Sequence, residues 1–242
     1  MTGTYRIADT LVQITSLHGE VHALCVDYKA EGTPQLQIVT TQQDIDNEGE
    51  QSDATRMKEG LPPYTYPDGY LETLAVYRQL ALWMTQNRDT LLLHGSCISV
   101  DGKAYLFTAR SGTGKSTHVR LWRELFGNRA VMVNDDKPLV HVSQQGATIF
   151  GTPWNGKHQL GSNISAPLKA ICILTRSEKN HIEEQTPQQA MQSLLQQTHL
   201  PKEALTQALT LLGLLLKHVK LYRLGCNMNP EAAQVAFNGM NQ

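Results

Sequence analysis

The sequence predicts a mixed α/β fold, a mixed sheet with flanking helices preceded by a small N-terminal β-rich region. Three observations predict it. Beyond residue 70, short apolar β-type runs alternate with helical stripes. One run, Ala104–Thr108, leads through a glycine-rich loop into an amphipathic stretch, Thr117–Phe126. Ahead of these, the first 40 residues hold only short β-type runs parted by turn formers. The 242 residues suit one generous α/β domain or a core with an appendage, read here as 1–69 and 70–242.

In chain order, Leu11–Thr15, Val21–Val26 and Leu36–Thr40 read as strands of a small antiparallel sheet, with His18-Gly19-Glu20 and Glu31-Gly32-Thr33-Pro34 as turns. Thr41–Gly69 is polar, contains Pro62, Pro63 and Pro67, and reads as a long connection. Tyr70–Gln86 places Leu71, Leu74, Val76, Tyr77, Leu80, Leu82 and Trp83 on a helical stripe. Leu91–Leu93, Cys97–Val100 and Ala104–Thr108 are strand-like, and Asp101-Gly102 is a hairpin turn signal. The helix after the glycine loop ends at Gly127, a C-terminal cap. Ala130–Val133 and Ala170–Leu174 read as strands. Thr186-Pro187-Gln188-Gln189 combines an N-cap, a first-turn proline and a capping-box glutamine. A helix over Glu203–Val219, a strand over Lys220–Leu224 and a helix opened by Asn229-Pro230-Glu231 complete the chain.

Composition narrows the function. Lys+Arg 21 against Asp+Glu 22 gives a formal charge of −1, which offers neither a basic field for nucleic acid nor a polybasic membrane anchor. The most apolar stretch, Ala204–Leu216, is too short to span a bilayer. Cys25, Cys97, Cys172 and Cys226 lie far apart without zinc spacing, and free thiols in a cytoplasmic protein are the simplest reading. The nine histidines show no HExxH or other close metal-ligand spacing.

The chemistry concentrates in Ala109-Arg-Ser-Gly-Thr-Gly-Lys-Ser116, a P-loop pattern. Gly112 and Gly114 let successive N–H groups turn inward around phosphate oxygens, with Ser111 before them and Thr113 between them. Lys115 can reach the terminal phosphates, Ser116 can ligate Mg²⁺, and Thr117 stands beside them in the first helical turn. Ala109 replaces the usual first glycine, which is tolerable if that position does not need positive φ. Asp135-Asp136 follows a short apolar strand one helix later, where a metal-binding acid belongs. Asn-Asp-Asp-Lys-Pro is also good turn chemistry; beside a P-loop, the site reading is favoured. Lys157, at the end of Thr152-Pro-Trp-Asn-Gly-Lys157, and Arg176, just past a strand, are candidates to touch substrate or phosphate; spacing does not separate them from surface residues. His94 alone reads equally as a buried, hydrogen-bonded histidine.

His94-Gly95, the hairpin Cys97–Thr108, Ser111-Gly-Thr-Gly-Lys-Ser-Thr117 and Asp135-Asp136 together resemble the HPr kinase/phosphorylase and phosphoenolpyruvate carboxykinase superfamily, and the later segments look like its smaller HPr-kinase-related proteins. The resemblance implies a P-loop kinase core, with Asp135 as base toward a hydroxyl, Asp136 as Mg²⁺ ligand, and His94 orienting or tuning the base. It implies ATP or another phosphate donor with Mg²⁺, and a hydroxyl-bearing acceptor such as serine in a peptide, protein or small molecule. No nucleic acid or membrane partner is expected, and an oligomer is compatible with the reading. A nucleotide-binding regulator and a partner-coupled ATPase without kinase activity are the alternatives.

Overall fold

The computed structural model describes residues 1–58 and 60–241. By internal contacts the chain forms two units, Met1–Trp83 and Met84–Gln242. The division falls inside the helix Asp68–Arg88, on the C-terminal side of the junction expected between residues 69 and 70.

In the first unit, β1 (Thr2–Ile7) and β2 (Thr10–Thr15) form a hairpin. Its two-residue turn, Ala8-Asp9, has positive φ at both positions, the geometry that matches strand twist. The chain then enters α1 (Glu20–Leu24) and a 3-10 turn, Val26–Tyr28, where the sequence had suggested a strand. The buried positions Val21, Cys25 and Tyr28 repeat at helical spacing, a period that a run of apolar residues disguises. β3 (Leu36–Val39) pairs with β2 in parallel, so the expected all-antiparallel sheet is corrected to a mixed one. Thr41–Gly69 is not all connection: α2 spans Gln42–Lys58. Thr41 and Asp44 cap its start reciprocally, and Gln42–Asp46 and Gln43–Asn47 bond along its surface. Local pairs thus hold a helix that buries only Ile45 and Glu48 and has no apolar stripe to announce it. α3 (Asp68–Arg88) delivers the fully buried Glu72, whose carboxylate accepts the N–H groups of Leu17 and His18 and the Thr40 hydroxyl.

The second unit is built on a nine-stranded mixed sheet. β4 (Thr90–Leu92), β5 (Ser96–Val100) and β6 (Lys103–Thr108) lead to α4 (Lys115–Phe126). β7 (Ala130–Asn134) is followed by a hairpin that the sequence did not announce, β8 (Leu139–Ser143) and β9 (Gly146–Phe150). β10 (Ser165–Arg176), β11 (His181–Glu184), α5 (Pro187–Leu195), α6 (Leu205–His218), β12 (Lys220–Cys226) and α7 (Glu231–Met240) complete it. The expected capping box at Thr186 and Gln189 is formed, and Gly127 caps α4 with φ 51°.

Strand alternation sorts the core into two layers. From β6, Tyr105 and Phe107 join α4 and α7 on one face, while Ala104 and Leu106 join α5 and α6 on the other. β10 does the same with Ala170, Cys172 and Leu174 against Ile171 and Ile173. A sheet covered on both faces needs its strands apolar throughout, which is why they read as near-continuous apolar runs. β6, β10 and β12 are mutually parallel, and β5 runs antiparallel to both β6 and β7. The C-terminal ends of β6, β7, β10 and β12 therefore share one edge, and β5 starts there. All four cysteines are free. Among the described residues, no helix is long and apolar enough to cross a membrane.

His118, in the first turns of α4, is 2% exposed. Trp122 Nε1 donates to its Nε2 at 3.0 Å, so the neutral ring carries hydrogen on Nδ1, which has no partner. Burial pulls its pKa down to about 4. In the unfolded chain it titrates near 6.5, so between those values only the unfolded state gains a proton. Stability should fall by up to roughly 3 kcal/mol as pH drops through this window. Urea denaturation of His118→Gln should show a flatter pH dependence from 6.5 to 4; an unchanged slope would refute the assignment.

Candidate functional site

The loop between β6 and α4 is built by two glycines. Gly112 (φ 75°) and Gly114 (φ 120°) adopt backbone conformations that other residues rarely take. A Cβ at either would meet nothing within 4 Å, so the loop is open where its backbone turns. No side chain caps the N-terminus of α4, and its first N–H groups point outward with the positive end of the helix dipole. That geometry fits an anion. Ala109 is not among the residues with positive φ, so the alanine costs the loop nothing. Lys115 is 8% exposed and folds back to donate from Nζ to the Ala109 carbonyl at 2.9 Å. Burial, then the charge of Lys137, lowers its pKa against the pull of Asp136. From β10, Arg176 donates to the Gly112 carbonyl at 2.6 Å. Ser111 is exposed, while Thr113, Ser116 and Thr117 are half-buried.

Two strands away, the end of β7 carries the carboxylates. The residue that arranges them, Asn134, was passed over in the sequence and is fully buried. Its Oδ1 accepts the N–H groups of Asp136 and Lys137 at 2.8 and 2.6 Å, the side-chain-to-backbone turn that Asn at the head of Asn-Asp-Asp-Lys-Pro could have signalled. Its Nδ2 donates to the Thr152 hydroxyl and carbonyl at 3.0 and 3.1 Å, tying the turn to the following loop. The turn offered by Asn-Asp-Asp-Lys-Pro is therefore formed.

The adjacent aspartates consequently face different surroundings. Asp135 is 5% exposed and accepts the Gly156 N–H at 2.5 Å. Burial raises its pKa; hydrogen bonds from the Gly156 and Leu160 backbone only partly oppose that. Asp136 is also pushed up by burial, but the hydrogen bonds and charges of His94 and Lys137 outweigh it and hold it at about 2. His94 Nε2 lies 3.3 Å from Asp136 Oδ1 and Lys137 Nζ lies 2.7 Å from Oδ2. The expectation that His94 addresses Asp135 is corrected: its ring meets the other carboxylate, because the Asn134 turn directs Asp136 toward the start of β5.

His94 is itself clamped. Its N–H donates to the Gln197 carbonyl at 2.7 Å, its Nδ1 lies 2.9 Å from Gln197 Oε1, and its carbonyl accepts the Thr108 hydroxyl at 2.8 Å. Gln197 had no sequence signal, being 103 residues away from its partner. Lys157 is exposed, and the loop charge that acts on Asp135 is that of His158. Among the described residues, no three His, Cys, Asp or Glu side chains converge on a metal position. Ser116 and Asp136 supply hard oxygen donors, which suits Mg²⁺ completed by phosphate oxygens and water.

Comparison with known proteins adds a family. The family model described as SynChlorMet cassette protein ScmC matches residues 71–210, more than half of the chain. This chain belongs to the ScmC family. The matched span contains the glycine loop, His94, the aspartate pair and Arg176. No curated protein matches the chain. Among solved structures, it is similar to the Hpr(Ser) kinase/phosphatase from Coxiella burnetii, with 11% identity over 61% of this chain and 95% of that one and a TM-score of 0.35. At that score, the likeness supports neither a shared fold nor a shared activity.

Gly95 sits where backbone and side chain of β6 approach closely. A Cβ there would lie 2.7 Å from Leu106 Cδ1 and 2.9 Å from the Phe107 carbonyl oxygen, so Gly95 is what lets the His94 segment lie against β6. Gly95→Ala should lower unfolding free energy by about 1–3 kcal/mol, the usual cost of overpacking. Chemical denaturation measures it, and an unchanged midpoint would show that the segment is not held this closely.

Proposed function

We propose that this protein has a P-loop kinase core of the HPr kinase type and is a Mg²⁺·ATP-dependent phosphotransferase. It moves the γ-phosphoryl group to a hydroxyl, with serine in a peptide, protein or small molecule as the acceptor type. The observation that carries the proposal is the pairing of an open glycine loop with two adjacent carboxylates of opposite character on one sheet edge. Phosphoryl transfer needs these parts: a cradle for phosphate, an ionised metal ligand, and a base able to hold a proton.

The loop N–H groups from Gly112 to Ser116 surround the phosphates, with Ser111 and Thr117 at either end. Lys115 exchanges the Ala109 carbonyl for the terminal phosphates. Mg²⁺, held by Ser116 and Asp136, would neutralise charge on the phosphate oxygens. Asp136, at about 2, stays ionised for that task. Asp135, raised by burial, suits proton acceptance. As the acceptor oxygen bonds to the γ-phosphorus, the bond to ADP breaks and the hydroxyl proton passes to Asp135. His94 orients Asp136. Arg176 steadies the loop through Gly112, and Lys157 stands on the loop that covers Asp135.

That cover favours a second reading. The Gly156 N–H on Asp135, at 2.5 Å, also suits a nucleotide-binding regulator or a partner-coupled ATPase in which Asp135 fastens the loop. Transfer of γ-labelled phosphate from Mg²⁺·ATP into desalted cell extract separates the three. Wild type should label an acceptor. Asp135→Asn should reduce labelling by about 10²-fold or more, the order expected for a lost general base, while retaining ATP binding. Label found only as free phosphate would favour the ATPase, and binding without turnover the regulator.

The pH profile supplies a further check. A base must be ionised, so transfer should fall as pH drops through a pKa above the ordinary aspartate value of about 3.9. Asp136 remains charged throughout that limb. A kcat/KM profile flat down to the ordinary aspartate value would exclude Asp135 as the base.

A further inference from the structure

A cavity of about 640 Å³ opens between the leading half of the glycine loop and α5. It is floored by the ends of β6 and β10 and walled by Gln192, Ser193, Gln196 and Gln197. Ser111, Gly112 and Thr113 line it while Lys115, Ser116 and Thr117 do not, so it opens on the leading end of the proposed phosphate cradle. Its volume falls within the range of about 300–1,000 Å³ typical of small-molecule sites.

The lining charge is one-sided. Arg110, Arg176 and Arg223 face the cavity, and no Asp or Glu does. Among the described residues, none of the three guanidinium groups forms an ion pair with a carboxylate. Arg223 is the informative one. It projects half-buried from β12, and its bond to the Gln185 side chain is long, at 3.4 Å. Glu183 stands opposite it on β11 yet accepts from Gln185 instead, at 2.9 Å. A half-buried guanidinium without a carboxylate partner retains a strong, planar capacity for an anion. At the other end, Gln197 grips His94, whose ring reaches Asp136. One wall of the cavity, Gln197, is thus linked through His94 to Asp136, although neither aspartate lines the cavity itself.

We infer that this cavity is the acceptor site, and that the acceptor is a small hydroxy compound carrying an anionic group, carboxylate or phosphate. This rests on the phosphotransferase reading and names its substrate class. Arg223, with Arg110 and Arg176, takes the anion, and the Gln192 and Gln196 amides bond the remaining polar groups. The hydroxyl is directed past Gln197 toward the loop and the aspartates. The transfer itself forms the acceptor O–P bond, breaks the ATP γ-phosphorus–oxygen bond to release ADP, and leaves the proton on Asp135.

Binding of D-glycerate, glycerol 3-phosphate and neutral glycerol is measured by calorimetry on the full chain with Mg²⁺·ADP present, beside transfer from labelled Mg²⁺·ATP. At least one anionic probe should bind about tenfold or more tightly than glycerol, a charge-assisted bond being worth that much. Which one does so distinguishes carboxylate from phosphate. Arg223→Gln should weaken that probe about tenfold and Arg223→Lys less, since only arginine offers the planar fork. The exposed Arg110→Gln provides a second variant if Arg223→Gln does not fold. Equal binding of anionic and neutral probes, or failure of both anions to bind, overturns the inference. So does an Arg223→Gln loss in Mg²⁺·ADP affinity equal to that for the anion, which would assign the cavity to the nucleotide. Arginine-dependent anion binding without any phosphoryl transfer supports the anion site while defeating the kinase reading.

Discussion

Leu168–Ile173 of β10 lie in parallel register beside Ala104–Thr108 of β6, and the positions of the loop, the arginines and the cavity follow from that pairing. It brings the exit of β6 and the exit of β10 to the same edge, so Arg176 can hold the Gly112 carbonyl. β12 pairs with the far side of β10 in parallel and adds Arg223. Side-chain alternation then gives α4 and α7 one face and α5 and α6 the other. A slip of one residue would exchange the two faces and dismantle both cores.

At the same edge, one buried amide separates two neighbouring carboxylates. Asn134 satisfies the N–H groups that follow it and fastens the turn to Thr152. Asp135 is left beneath backbone N–H groups, and Asp136 between His94 and Lys137. Burial acts upward on both acids. What differs is compensation: Asp136 has side-chain hydrogen bonds from His94 and Lys137, and Asp135 mainly has backbone dipoles. Neighbours in sequence thereby acquire different proton affinities.

The site also depends on contacts that carry no motif. His94 is positioned by Gln197 from the segment after α5 and by Thr108 at the end of β6. Gly95 permits this because its missing side chain admits the backbone of Phe107. Lys115 occupies the Ala109 carbonyl, an internal partner that a phosphate would have to outcompete.

Local signals were legible in the sequence. The Asp101-Gly102 turn, the Gly127 cap, the Thr186 capping box and the glycine loop each depend on residues within a few positions, so backbone chemistry alone specifies them. The apolar runs of β6 and β10 likewise determined strands buried on both faces. The partly solvated α2 was not legible, because its pairs are polar and its apolar stripe is absent. Nor was the period of α1, or the β8–β9 hairpin. Tertiary structure alone decided that β3 runs parallel to β2, that His94 meets Asp136 rather than Asp135, and that Gln197 and Arg223 border one cavity. Those outcomes join residues far apart in the chain, where register and burial, not local propensity, determine which groups meet.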